Sequence, residues 1–278
     1  MGIETTFALD DVSEEPAAAT VTNNDPLAEI NTWVDKQVES KPARRILPNS
    51  RAVYFDIETG PRPEAELRRL FHEKTLAEFS ETCDKRWKPE TVAGKYEEYK
   101  VSAWQEFVDK AALSPITGRV LLLGILRDDQ YTPMGDANEA DILSVFWPNV
   151  EVILADKIPL IGHNSNAFDI PFLVRRSWLL GVPVPREIHQ GRYWHPLFRD
   201  TMEYWNCGAR DYVKLNAIAD FFGVGQKTAG VKGGDFHRLW FGTLEGAGTP
   251  AEQRTKALEY NETDLRLTAA IAAKMGMA

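Results

Sequence analysis

Two cysteines in 278 residues, Cys83 and Cys207, are too few and too far apart for a disulfide framework, and there is no C-x-x-C pair. The expectation is two buried thiols in a reducing compartment. The five histidines show no zinc-ligand spacing with them. Long apolar runs are also missing. The longest, Val120 to Leu126 with Gly124 inside it, is far shorter than the ~20 residues a membrane helix needs, so no membrane span is expected. The first residues carry Glu4, Asp10 and Asp11 and no basic patch ahead of an apolar stretch, so no secretory signal is expected. No internal repeat is evident.

Positive charge is scarce as well: 32 Lys and Arg against 41 Asp and Glu give a formal net charge of −9. That balance argues against a nucleic-acid partner until its distribution is followed. Residues 1–40 hold nine acids and one Lys, a net of −8, so the remaining chain sums to −1. The acidity belongs to a tail. A near-neutral body that still clusters acids suits a metal site beside basic grooves.

What is present divides readily. Residues 1–24 have a disordered composition, 25–40 suit a short amphipathic helix with Leu27, Ile30, Trp33, Val34 and Val38 on one side, and 41–50 read as linker. The folded body is expected over 51–278. Val53 to Gly60 alternates at period two, placing Val53, Phe55 and Ile57 on one strand face and Asp56 and Glu58 on the other, with Gly60-Pro61 as the stop. Residues 61–117 form a helical insertion whose Lys85-Arg86-Trp87-Lys88 suits single-stranded nucleic acid. Its ten basic and eleven acidic residues are equally consistent with a solvated helical hairpin. Gly118 to Leu126 reads as an interior strand, turned back by Asp128-Asp129-Gln130 into a short strand at Tyr131. Further expectations are a helix over 139–154, a strand over 159–163, a helix over 168–180 closed by Gly181, a strand over 200–205, a helix over 214–222 closed by Gly223, and a short helix near His237. Thr249-Pro250-Ala251-Glu252 is a capping box that opens a last helix running to about Lys274.

Adjacent carboxylates repel unless a cation or proton neutralises them, so Asp56 and Glu58 gain meaning only if more acids join them. Asp169 stands at a helix start, where an acid also simply complements the helix dipole. Tyr260 and Asp264, four apart, share a face of the last helix. Gly223 to Thr228 lacks the glycine and the preceding strand of a phosphate-binding loop, which excludes an NTPase. Lys227 and Lys232 on that glycine-rich loop suit either phosphate contact or simple solvation. His163 reads as a satisfied loop histidine.

Asp56-Ile57-Glu58, Asn164 to Asp169 and Tyr260-x-x-x-Asp264 together resemble the three motifs of the DEDD superfamily of 3′–5′ exonucleases, over about Arg51 to Met275. The histidine subtype would need His where this chain has Glu259, so Tyr260 fits the tyrosine subtype. Ala111 to Val120 and Lys214 to Ala219, leading to Gly225-Gln226-Lys227-Thr228, are similar to the family-B-polymerase-like exonuclease domains of phages and prokaryotes. The resemblance implies a ribonuclease H-like α/β fold: a mixed five-stranded sheet flanked by helices, with the acids at one edge of the first strand. It implies a 3′–5′ exonuclease using two divalent cations, Mg²⁺ or Mn²⁺. Asp56 would bridge both ions, Glu58 and Asp264 would complete one site, and Asp169 would hold the other. Tyr260 would orient the attacking water, and Thr59 and Asn164 would contact the terminal nucleotide. Single-stranded DNA is the expected substrate, with a ribonuclease-D-like RNA exonuclease or a non-cleaving nucleic-acid-binding module as alternatives. The implied setting is cytoplasmic, in a prokaryote or phage-encoded. The 278 residues leave no room for a fused polymerase, so a polymerase or repair partner would act in trans.

Overall fold

The strand β1 (Val53–Pro61) is the middle strand of a five-stranded sheet. In the computed structural model the chain divides into two units, Met1–Leu47 and Pro48–Ala278, and the structure is described over residues 52–135, 138–190, 193–228 and 233–277 of the second. The tail, the 25–40 helix, the linker and Lys232 lie outside the described residues. After β1 come α1 (Glu64–Leu70), α2 (Leu76–Glu81) and α3 (Pro89–Ala111), the helical stretch expected between the first two strands. β2 (Gly118–Arg127) and β3 (Gln130–Gly135) then form a hairpin. Asp128 and Asp129 both have positive φ (48° and 63°), as a two-residue turn of this hand requires.

The rest of the described chain is α4 (Glu139–Ala155), β4 (Leu160–Gly162), α5 (Asp169–Leu180), β5 (His189–Gln190), β6 (Tyr193–Trp194), β7 (Phe198–Asp200), α6 (Thr201–Asn206), α7 (Leu215–Phe222), α8 (Phe236–Trp240) and α9 (Pro250–Lys274). The sheet order is β3-β2-β1-β4-β7. β2 runs antiparallel to both of its neighbours, β1 and β3, and β4 and β7 add parallel to β1, so the sheet is mixed as expected. β5 and β6 pair separately, an element the sequence did not announce.

Both faces of β1 are covered. Phe55 meets Phe146 of α4 and Phe198 of β7 on one side. On the other, Leu121 and Leu122 pack with Phe236, Leu239 and Trp240 of α8 and Ala257 and Tyr260 of α9. A fully buried side chain of this size contributes about 1.5–3 kcal/mol.

The first strand ends at Gly60-Pro61 as expected, with Pro61 still paired with Gly118. Two expectations are corrected. Residues 201–206 are a helix, not a strand: the Asp200 carboxylate accepts from Met202 N–H at 2.9 Å and caps it, and only Phe198–Asp200 are extended. The thiols are not buried. Cys83 is half-buried and Cys207 exposed, the latter in the left-handed position that closes α6 (φ 49°).

Candidate active site

Alternation along β1 turns Asp56 and Glu58 toward α9, where the capped start of the helix sets its phase. Tyr260, Asn261, Asp264, Leu265 and Thr268 fall on its buried stripe. One carboxylate oxygen each from Asp56, Glu58 and Asp264 lie within 4.8 Å of one another. Asp169 comes from a different direction. The amide of Val53 donates to Pro159 on the β4 side, and at a period of two the Ile57 amide points the same way. β4 pairs with β1 only at Val53 and Tyr54, so Ile57 N–H is left over, and Asp169 Oδ1 accepts it at 3.0 Å. The start of α5 is thereby pinned to β1, with Asp169 itself buried.

Burial, then repulsion from Glu58, Asp169 and Asp264, raises the Asp56 carboxyl well above the ordinary range. Burial and Asp264 do the same to Glu58, against the pull of Lys227 and an Asn261 hydrogen bond. Burial pushes Asp169 up to about 7, partly offset by the Ile57 amide. Asp264 is raised by burial and held back by Lys227. Four acids that resist ionising together form a site that demands positive charge. Asp264 Oδ1 is buried without a hydrogen-bond partner among the described residues. Such an orphaned oxygen among hard carboxylate donors fits a divalent cation.

The loop after α7 supplies a cation of the chain's own. Lys227 Nζ pairs with Asp264 Oδ2, lies 3.3 Å from the Tyr260 hydroxyl, and stands 5.1 Å from the centroid of that ring. Burial and the surrounding carboxylates drive the Tyr260 phenol further up from its normal value. Asn261 Nδ2 donates to Asp56 Oδ2 at 2.9 Å while its Oδ1 accepts from the Tyr131 hydroxyl at 3.0 Å. Gly124, opposite Asp56 on β2, makes the room: any Cβ there would run into Asn261.

A family model described as the RNase_H superfamily matches residues 108–276. The chain belongs to the RNase H superfamily. The matched stretch holds Asp169, Tyr260 and Asp264, while β1 with Asp56 and Glu58 lies ahead of it. No curated protein matches the chain. Among solved structures, the chain is similar to the family B DNA polymerase from the hyperthermophilic archaeon Pyrobaculum calidifontis. The two are 20% identical with a TM-score of 0.50, over 82% of this chain and 25% of that one. That likeness shows the fold, and the match spans a quarter of the polymerase's length. Membership in the RNase H superfamily, together with the acidic cluster, supports a nuclease that binds nucleic acid.

Against this RNase H-like frame the expected residues sort cleanly. Asp56, Glu58, Asp264 and Tyr260 come together, and Asp169 is tied to the same strand at Ile57. Thr59 does not face the cluster's centre. The alternation that turns Glu58 toward α9 turns Thr59 to the opposite side, and the Thr59 hydroxyl donates to Ala112 O at 2.7 Å, tying β1 to the end of α3. Asn164 has φ 58°, a conformation asparagine tolerates, and its amide donates to Asp200 Oδ1 at 2.8 Å. His163 is the satisfied loop histidine expected, bonded to Thr201 Oγ1 and Val213 O, with burial drawing it down to about 4. Sequence reasoning missed Asn261, Tyr131 and Asp200. For Asn261 two signals existed: a polar residue on the buried stripe of α9, and a glycine inside the apolar β2. Asp200, buried and clamping the Asn164 and Asn166 amides, had none.

Proposed function

We propose that the chain is a metal-dependent 3′–5′ exonuclease of the tyrosine subtype. Single-stranded DNA is its favoured substrate and nucleoside monophosphates are its products, with residues 51–278 as the exonuclease domain and 61–117 as a helical insertion in it. The observation that carries this reading is the convergence of Asp56, Glu58 and Asp264 within 4.8 Å, with every one of these carboxyls raised.

Two divalent cations, Mg²⁺ or Mn²⁺, would be held by Asp56, Glu58, Asp264 and Asp169. When bound they supply an activated water and stabilise the leaving oxygen of the phosphodiester. The chain's own groups do the rest. Asn261, braced by Tyr131, fixes which Asp56 oxygen faces the cluster, and Ile57 N–H fixes Asp169. Tyr260 stays protonated at neutral pH, so it orients water as a hydrogen-bonding group rather than removing a proton. Lys227 offsets the charge of Asp264 at Oδ2 and leaves Oδ1 open.

The test is digestion of 5′- and 3′-labelled DNA and RNA oligomers with and without Mg²⁺ or Mn²⁺. A cation-dependent ladder that shortens from the 3′ end is expected, with DNA cut faster than RNA. Cleavage from the 5′ end, or none with either metal, would remove the reading.

A further inference from the structure

The parallel strands of the sheet end close to one row. Tyr54 of β1 lies beside Ile161 of β4, and Ile161 beside Arg199 of β7. Gly162 and Asp200, paired with each other, stand one residue further on, and Asp56 stands two residues past Tyr54 in the same direction. The chain that follows β7 therefore starts at the same carboxyl edge as the acidic cluster, two strand spacings or about 10 Å to its side. Ligands of open α/β sheets bind outside the carboxyl ends of such strands. What leaves this edge is α6 and then the stretch from Cys207 to Lys214, which leads into α7.

The backbone of that stretch is fastened. Asn206 Nδ2 donates to Asp211 O at 2.6 Å, Val213 N–H donates to Met202 Sδ at 3.4 Å, and Val213 O accepts from His163 Nε2 at 3.0 Å. His163 immediately precedes Asn164 in the loop that leads to Asp169, so the last of these bonds ties the stretch to that loop. Val213 itself packs with buried residues of α7 and α9. The residues around it do the opposite. Tyr212 is 69% exposed, and Arg210 and Lys214 are exposed too. None of these three side chains has a hydrogen bond, ion pair or ring contact among the described residues. Asp211 is the one acid between Cys207 and Lys214, and Glu203 of α6 is taken by Asn166 Nδ2 at 2.7 Å.

Two free cations spaced around a free ring suit a single strand of nucleic acid, in which charges follow phosphates and ring faces stack on bases whatever their sequence. A backbone that is already fixed keeps the ordering cost of docking low. We infer that Arg210, Tyr212 and Lys214 form a contact for single-stranded nucleic acid, the cations on phosphates and Tyr212 against a base. The inference rests on the function proposed above, because it places the end of that strand on the carboxylates and its following nucleotides over the ends of β4 and β7.

Binding of a fluorescent single-stranded oligonucleotide to the full chain, measured in EDTA across a salt series, tests this. The proteins compared are wild type, Arg210→Gln, Tyr212→Ala, Lys214→Gln and, as control, Lys157→Gln. Lys157 is an exposed cation just ahead of β4, at the opposite edge of the sheet. All four side chains are exposed, so thermal unfolding should match wild type. Each phosphate contact on a single strand contributes about 0.7 to the slope of log K against log salt. Arg210→Gln and Lys214→Gln should therefore each flatten the slope by about 0.7 and weaken binding about 3- to 10-fold at low salt. Tyr212→Ala should weaken binding about 5- to 100-fold and leave the slope unchanged, as a lost stack would. Lys157→Gln should match wild type in both. Wild-type affinity and slope in all three variants overturns the proposal and leaves this surface to a protein partner. No binding by wild type, or the same flattening in Lys157→Gln, also overturns it. The cleavage assay with Mg²⁺ or Mn²⁺ separates this contact from the reading it rests on. A wild type that binds through these residues and never cuts would sink the exonuclease and leave the contact standing. Variants that bind and cut as an active wild type does would sink the contact alone.

Discussion

At the scale of single residues, Tyr260 and Asp264 stand one turn apart on α9 yet are expected to fail differently. Tyr260→Phe keeps the ring against Phe236 and removes one hydroxyl, so folding and metal binding should persist while the rate falls about 10- to 1,000-fold. On the proposed mechanism Asp264→Asn would remove a carboxylate ligand, so both the rate and the Mn²⁺ concentration needed for half-maximal rate should change. Equal rates for Tyr260→Phe and wild type at saturating metal would remove Tyr260 from the mechanism. Asn261 is the third residue of this group. Asn261→Ala strands the Tyr131 hydroxyl and frees the Asp56 carboxylate to turn, at a cost of about 1–3 kcal/mol. Weaker Mn²⁺ binding by titration calorimetry is expected with it. Unchanged affinity would show that Asp56 needs no brace.

At the scale of elements, the contact between β2 and α9 is as close as it is because position 124 has no side chain. Gly124→Ala would push a methyl toward Asn261 and toward Leu265 Cδ1, 2.8 Å away, costing about 1–3 kcal/mol. Thermal unfolding and cleavage should both suffer. A stable but inactive variant would separate the Asn261 brace from simple packing. The cluster as a unit also makes stability depend on pH. Asp56, Glu58 and Asp169 ordinarily titrate near 4, and in the folded chain they hold protons to higher pH, Asp169 to about 7. Between about pH 4 and 7 the metal-free folded chain therefore binds more protons than the unfolded one, and stability should fall as pH rises through that window. His163 opposes this. Its value drops from 6.5 to about 4, so its contribution is lost as pH falls through the same range. His237, also drawn down by burial, acts in the same sense. With several acids against two histidines, melting temperature in EDTA should decline from pH 5 to 7.5, less steeply in Asp56→Asn and not at all with Mn²⁺ present. A melting temperature that rises over that range in EDTA would contradict the assignment.

At the scale of the whole molecule, charge is distributed unevenly. Deleting residues 1–40 takes the formal charge from −9 to −1. The truncated chain should cut as well as the full one and bind DNA more tightly at low salt, a gain that fades as salt screens the repulsion. Filter binding across a salt series checks this. A folded truncation unable to bind or cut would place those residues in the working body.

The sequence by itself determined the elements that local rules govern. Alternation placed Asp56 and Glu58 on one face of β1, a capping box started α9, and a glycine in the left-handed position closed both α5 and α7. Four apart on one helix, Tyr260 and Asp264 were bound to share a face. Only the tertiary structure decided what those faces meet. The Thr59 hydroxyl found Ala112 O across 53 residues, and Asp200 clamped the Asn164 and Asn166 amides across 36 and 34 residues. Asp169 found Ile57 N–H because β4 leaves β1 early, and Lys227 reached Asp264 across 37 residues. Each of these is a contact between segments far apart in the chain, and spacing along a sequence carries no information about which distant partner a polar group will find.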